Sequence, residues 1–351
     1  MNSHLQNGFI DSLETCKLLF NEHIDSESAG ILLRARLQAT GRRLGFSDSQ
    51  REQMALVAAE MASNQVKYAK GRGMIQIWQQ PGGMLDLFAL DYGPGIADLF
   101  HAQRDGFSTG QTLGKGLGSI QRLAIESGIY TRIADSSNSS WHGTAIWARF
   151  SPTHKTDTVA DVEVGLFSRA LSDDRFNGDR IYLAWKGCHK LRWLHLDGLG
   201  HGEGAQQATS NLGGHVAYSD NLISLLPTLD RELCGGRGAV AIMAELDWES
   251  RQLEIMGVGD MHAHLYQNET LQNISFAPGI LGREHKTSTS SSYTLGESCV
   301  VETASDGIRR GTPDKSFPGL FQLHPQLIAY VLGNIMGRAA DDQSLCIIRM
   351  S

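Results

Sequence analysis

Glycine rather than proline punctuates this chain: 39 glycines stand against 8 prolines, many of them beside Asp or beside one another. Glycine is needed where backbone must take a positive φ or approach a ligand closely, so its distribution points first to binding loops. At 351 residues the chain has length for two domains, or three. Its 41% hydrophobic and 20% charged residues suit a globular protein with a sizeable core. Thirty-one basic against 38 acidic residues leave a net charge of −7, which argues against nucleic acid or an anionic membrane as partner. No stretch approaches the ~18 apolar residues of a membrane span. The first residues carry Asp11 and Glu14 instead of a basic-then-apolar leader. Five scattered cysteines without a CxxC pair exclude a zinc ribbon and a disulfide framework. A cytoplasmic protein is expected.

Apolar spacing predicts helices over 26–44 and 48–69. In the second, Ser47 or Asp48 can cap, and Met54, Val57, Ala58, Met61 and Val66 form an apolar stripe. Met74–Gln80, a Pro81-Gly82-Gly83 turn and Met84–Leu90 predict a hairpin. Residues 91–118 are Gly-rich loop around one short helix, 120–127 reads as helical, and strands follow near 129–134 and 143–150. The polar run Ser151–Thr158 has no periodicity and predicts a linker over 151–161. Beyond 162, strand-like runs alternate with Gly/Asp turns, and helical patterns fall near 203–232 and 323–338. The expected fold is α+β in two domains, 1–150 and 162–351.

Three elements in the first domain carry chemistry in order: Glu60-x-x-x-Asn64 on a helix, Asp91-Tyr-Gly93-Pro-Gly95-Ile96 after a strand, and Gly114-Lys-Gly116-Leu-Gly118 running into a helix. Glu60 and Asn64, four apart, share a helix face. An amide oxygen is a hard ligand suited to Mg²⁺, and a carboxylate one turn away can take a proton from an attacking hydroxyl. Asp91 can accept a hydrogen bond from an exocyclic amine, with glycines opening room for a flat base. The last glycine loop can present N–H groups to phosphates. It is neither a P-loop nor a dinucleotide fingerprint, because its glycines are misplaced for both. Taken singly, Asn64 could be an exposed helix residue and the Asp-x-Gly-x-Gly a tight turn; the three in order argue otherwise.

The same three motifs resemble the N, G1 and G2 boxes of the GHKL ATPases, most of all the small anti-sigma-factor and stressosome-switch serine kinases. That family has a similar Asp-x-Gly-Pro-Gly-Ile stretch followed by Asp-Gly-Phe-Ser-Thr, here 105–109. The resemblance covers about residues 15–150. It implies a Bergerat-type α/β sandwich binding ATP and Mg²⁺, with Asn64 on the metal, Glu60 as general base and Asp91 reading adenine. Gly93, Gly95, Gly114, Gly116 and Gly118 would shape the pocket and lid.

The second half sets acids beside glycine or at strand ends: Gly178-Asp179, Asp197-Gly198, Asp306-Gly307 and Asp341-Asp342. Apolar strands lead into Asp197 and Asp306, so both would emerge at a shared edge. Converging carboxylates repel unless a cation compensates them, and carboxylate, carbonyl and water ligation suits Mg²⁺ or Mn²⁺. Asn177-Gly178-Asp179, Asp197-Gly198-Leu-Gly200-His201-Gly202, Ser305-Asp306-Gly307 and Asp341-Asp342-x-Ser344 resemble the metal-dependent PP2C-like phosphatases of SpoIIE type. The resemblance implies a β-sandwich flanked by helices and two Mn²⁺ or Mg²⁺ ions. Asp179 and Asp197 would bridge the ions, and the Gly198 carbonyl, Asp306 and Asp341 or Asp342 would complete the set. Alignment through Ser344 favours Asp341. Asp260 reads as a turn acid.

Together these resemblances imply a bifunctional partner-switching regulator. A serine/threonine kinase would be fused to a serine/threonine phosphatase acting on small STAS-domain antagonists or stressosome proteins that control a sigma-factor regulator. The alternative makes the first domain an ATP-dependent sequestering module and the phosphatase the sole enzyme.

Overall fold

The computed structural model describes residues 9–103, 116–134, 141–153 and 161–350. Gly114, the 105–109 stretch and most of the expected linker lie outside them. The chain divides into two units: Lys17–Asp157, and Met1–Cys16 together with Thr158–Ser351.

The first described elements are a short strand β1 (Phe9–Asp11) and a one-turn helix α1 (Ser12–Thr15). These belong to the second unit, which differs from the expected 1–150 domain. The reason is hydrogen bonding: β1 pairs antiparallel with a strand 170 residues on in sequence, Phe9 opposite Ala184 and Asp11 opposite Tyr182.

The Lys17–Asp157 unit contains β2 (Lys17–His23), α2 (Glu27–Arg43), α3 (Asp48–Ala69), β3 (Gly73–Gln79), β4 (Leu85–Asp91), α4 (Leu99–Gln103), α5 (Gly116–Leu123), β5 (Glu126–Arg132) and β6 (Gly143–Phe150). The strands form one antiparallel sheet in the order β2-β3-β4-β6-β5. The helix expected over 120–127 lies earlier, and residues 126–127 are already strand, paired to Arg149 and Ala148.

α3 begins with a reciprocal cap: Ser47 Oγ accepts from the Gln50 N–H, and Gln50 Oε1 accepts from the Ser47 N–H. It ends where Lys70 and Gly71 turn left-handed, at φ 54° and 70°. Between them Met54, Val57, Ala58 and Met61 pack with Leu33 and Leu37 of α2 onto Ile75, Ile77, Leu85 and Leu87 of the sheet. Each such side chain contributes roughly 1.5–3 kcal/mol by leaving water. Burying this stripe fixes the helix rotation and leaves Glu60 and Asn64 half-buried at its margin.

The other unit continues with β7 (Val162–Arg169), β8 (Asp179–Lys186), β9 (Lys190–Gly198), α6 (Glu203–Thr209), α7 (Gly213–Tyr218), α8 (Leu222–Leu233), β10 (Ala239–Asp247) and β11 (Gln252–Val258). Then follow β12 (His262–Gln267), β13 (Thr270–Ile274), β14 (Ser291–Thr294), β15 (Cys299–Ala304), α9 (Pro313–Ser316), α10 (Pro325–Met336) and β16 (Gln343–Met350). One sheet runs β1-β8-β9-β10-β11-β14, the other β13-β12-β15-β16-β7. Side chains cross between them: His195 of β9 meets Thr303 of β15 at 3.0 Å and Ser344 of β16 at 2.7 Å. Leu212, Val216, Leu222, Leu225 and Leu229 of α7, α8 and the turn before them pack on the far face of the first sheet, and α10 packs on β7 and β16 of the second. The fold is α+β, with this unit a β-sandwich covered by helices. Among the described residues no helix is long and apolar enough to cross a membrane.

Candidate functional site

At one end of the sandwich the register sets two carboxylates side by side: Asp179 at the start of β8 lies directly opposite Asp197 near the end of β9. The antiparallel strands β15 and β16 bring the turns bearing Asp306 and Asp341 to the same end. The electrostatics confirm the convergence. Burial, then the charges of Asp179, Asp306, Asp341 and Asp260, push Asp197 up to about 10. Burial pushes Asp179 up to about 7, despite hydrogen bonds from Ser305 and Ser344, with Asp342 and Asp341 adding to the rise. Asp306 is raised by burial and by Asp341 and Asp260, while hydrogen bonding to Asp197 and the charge of Arg338 oppose this. Acids raised in this way are held together against their own repulsion.

The two neighbouring candidates Asp341 and Asp342 differ in what they touch. Both carboxylate oxygens of Asp342 are occupied by backbone donors, the Leu171 and Gly178 N–H groups, each at 2.7 Å. Asp342 is therefore a clamp that holds the turn before Asp179. Asp341 accepts only from the Asp342 N–H among the described contacts. Gly198 follows Asp197 at the strand end, and a Cβ there would stand 2.7 Å from the Ala205 carbonyl oxygen, so only glycine fits. Ser344 donates to Asp179 Oδ2 at 2.7 Å and is itself held by His195. Burial takes His195 down to about 3, so the ring is neutral and passes hydrogen bonds without charge.

Asp260, read as a turn acid, lies in the bend after β11 and near enough for its charge to act on Asp197 and Asp306. The sequence motif contained Ser344, but its spacing did not show the hydrogen bonds that tie it to Asp179 and His195.

The donor chemistry fits hard divalent cations. Every convergent side chain is a carboxylate, and the most buried of them resist ionising without a compensating charge.

In the other unit Asp91 ends β4 and is raised by burial, opposed by hydrogen bonds from Gly93 and Thr144. Both bonds land on Oδ1, at 2.8 and 3.1 Å, which leaves Oδ2 to accept from a ligand. Gly93 is pressed against α3: its Cβ would lie 3.3 Å from Ala69 Cα. Gly95 takes φ 79°, and a Cβ there would come within 2.3 Å of the Arg132 carbonyl oxygen. Gly93 thus places the Asp91 loop at the C-terminal end of the helix that carries Glu60 and Asn64, and Gly95 sets it against the end of β5. Gly116 opens α5 against the same pair, its Cβ position 3.2 Å from Glu60 Oε2 and 3.9 Å from Asn64 Oδ1; Gly118 is buried in the same turn. Trp141 donates to the Asp91 carbonyl at 3.0 Å and His142 meets the Gly93 carbonyl at 2.7 Å. Sequence reasoning missed both, because no spacing links them to the loop they brace.

Fold and site together define a two-unit α+β chain, one unit bearing an Asn/Glu helix face beside an Asp-Gly loop and the other an acidic sandwich end. No protein-family model matches it. Over 88 residues the chain is 36% identical to the serine/threonine-protein kinase RsbT of Bacillus subtilis (strain 168), a stretch covering 24% of this chain and 65% of that relative. The chain thus spans just under two thirds of that kinase's length. Among solved structures, a chain from work on the bacterial stressosome is 24% identical with a TM-score of 0.49, covering 54% of this chain and 99% of that one. RsbX in complex with magnesium is 17% identical with a TM-score of 0.48, covering 56% and 99%.

Proposed function

We propose that the chain is a bifunctional regulator of phosphorylation: an ATP-dependent protein serine/threonine kinase unit joined to a metal-dependent protein serine/threonine phosphatase unit. The convergence of Asp179, Asp197, Asp260, Asp306 and Asp341 at one sandwich end carries the phosphatase reading. Asp179, Asp197, Asp306, Asp341 and the Gly198 carbonyl would hold two Mg²⁺ or Mn²⁺ ions. When bound, such ions supply charge for a phosphoryl group and acidify water. The protein's own part is positional: Ser344 fixes the Asp179 carboxylate, neutral His195 fixes Ser344, and Asp342 anchors the turn before Asp179.

For the kinase unit, the order of Asn64, Glu60 and the glycine loops and the 36% identity to RsbT support the reading. Asn64 would bind Mg²⁺ of Mg·ATP, Asp91 the adenine amine, and Glu60 would accept the proton of a substrate hydroxyl. The substrates are small antagonist proteins of STAS type within a partner-switching or stressosome pathway.

The test uses full-length protein carrying Asp306→Asn, so that product phosphate is not removed, with radiolabelled ATP and STAS-domain proteins of the native host. Label on serine or threonine, lost in Glu60→Gln, is expected. Tight ATP binding with no transfer would sink the kinase half and leave an ATP-dependent sequestering module. For the phosphatase half, hydrolysis of an aryl phosphate that vanishes on chelation and returns with Mn²⁺ is expected; metal-independent turnover would overturn it.

A further inference from the structure

The second sheet carries a group of side chains that the proposed chemistry does not use. His262 and His264 alternate along β12 and therefore share one face, and Glu302 of β15 lies directly opposite His264. That face is the outer one. Thr303, the next residue of β15, points the other way, to His195 of the first sheet, while Tyr266, two residues beyond His264, stacks on Phe321 at 5.0 Å.

All three are buried, 7%, 5% and 2% exposed. One donor atom from each lies within 4.8 Å of the other two, and the imidazole rings are 5.3 Å apart. His262 Nδ1 is buried without a hydrogen-bond partner among the described residues, and His264 Nδ1 and Glu302 Oε2 have only each other. His264 Nδ1 and Glu302 Oε2 approach to 3.3 Å as a charge pair, which leaves His262 Nδ1 unpaired among the described residues. A buried polar atom left unpaired costs about 1–3 kcal/mol, and folded proteins rarely keep several in one place. A cation at the centre would satisfy all three at once.

We propose that His262, His264 and Glu302 form a site for one divalent transition-metal ion of the Zn²⁺ class, separate from the acidic end of the sandwich. Two imidazole nitrogens with one carboxylate select Zn²⁺, Fe²⁺ or Co²⁺ over Mg²⁺, which favours oxygen donors throughout. Asp314 of α9 stands near enough for its charge to act on His264, and its Oδ1 is also buried without a partner. The Glu302 carboxylate offsets part of the ion's charge, and Asp314 adds to the negative field against Arg310 and Arg338, whose charges act on His262. Asn273, opposite His264 on β13, hydrogen-bonds the ring, the kind of outer contact that orients a histidine ligand. Such an ion would pin β12 to β15, the strands whose ends bear Asp260 and Asp306.

The experiment uses the full chain with Asp197→Asn and Asp306→Asn, which disable the acidic site, stripped with chelator and titrated with Zn²⁺ or Co²⁺ in excess Mg²⁺. One equivalent should bind, with visible absorption from the Co²⁺ form. His262→Asn and His264→Asn should each lower the affinity by roughly 100-fold or more, with circular dichroism reporting that the fold is kept. No saturable uptake in excess Mg²⁺, or equal uptake by the folded double histidine variant, would overturn the proposal. If the variants do not fold, pulsed electron paramagnetic resonance of the Cu²⁺-loaded parent decides: coupling to two imidazoles is expected, and none refutes the site.

Discussion

Asp179 and Asp197 show what a single buried carboxylate does to the whole chain. Their folded values, about 7 and about 10, stand above the roughly 3.9 of an unfolded Asp. The native state therefore holds protons that the unfolded state has lost. This stability is full below about pH 4 and is lost as pH rises, through about 7 for Asp179 and toward about 10 for Asp197. Chelated protein should accordingly melt lower at about pH 8.5 than at about pH 6, with Mn²⁺ raising the melting temperature most at the higher pH. A pH-independent melt in chelator would contradict this. Asp197→Asn removes the cost of keeping that buried carboxyl protonated, so above about pH 4 the ion-free variant should melt higher than the parent while phosphatase activity falls at least roughly 100-fold. At the other site Glu60 and Asn64 share a helix face but differ in task. Asn64→Ala should lose the stabilisation given by Mg·ATP. Glu60→Gln should keep it while phosphoryl transfer falls roughly 100- to 10,000-fold. Equal loss of binding in both variants, measured by calorimetry, would show that Glu60 is not a base. The aspartates were legible because strand-end Asp-Gly pairs are local in sequence. The choice between Asp341 and Asp342 was not settled by spacing alone, since it turns on which carboxylate the Leu171 and Gly178 amides occupy. Nor was the His262–His264–Glu302 group, whose members meet only through the β12–β15 register.

Long elements announced themselves and short ones did not. α3 shows a capping box and a buried stripe within one window of sequence, and the β3–β4 hairpin has its turn residues between two apolar runs. β1, β13 and β14 have three to five residues, and they exist because a neighbouring edge offers hydrogen bonds, which no local pattern records. Packing between elements is equally non-local. Gly165 of β7 meets the start of α10 so closely that a Cβ would stand 2.2 Å from the Pro325 carbonyl oxygen. Gly165→Ala should destabilise the unit by about 1–3 kcal/mol. Gly214→Ala, where a Cβ meets nothing within 4 Å, should stay within about 0.5 kcal/mol of the parent. Urea titration of the two variants checks the contrast, and equal midpoints would remove the claim that this contact sets how α10 docks.

At the scale of the molecule, the sandwich unit draws on both sides of the intervening Lys17–Asp157 segment. The first residues complete its sheet: β1 covers the β8 edge, Ser12 Oγ accepts from the Ile181 N–H at 2.9 Å, and Asp11 stands 3.4 Å from Arg180. Asp11 and Arg180 are both buried, and removing one partner of a buried pair costs about 3–5 kcal/mol because the other charge stays behind. A fragment 158–351, which lacks the first segment of the unit, should therefore unfold at lower urea than the sandwich unit of the full chain. Cys16 Sγ lies 3.7 Å from the Leu166 carbonyl oxygen of β7, so the end of the first segment already reaches the strand that resumes the unit. Residues 1–16 joined to 158–351 through a short Gly/Ser linker should thus regain the lost stability. Loop closure over so short a span adds little entropic cost. Fragment 17–157, one continuous segment with its own core, needs no such repair and should fold alone. Urea curves for the three proteins read the outcome directly, and a bare 158–351 fragment as stable as the linked one would show that β1 merely decorates the edge.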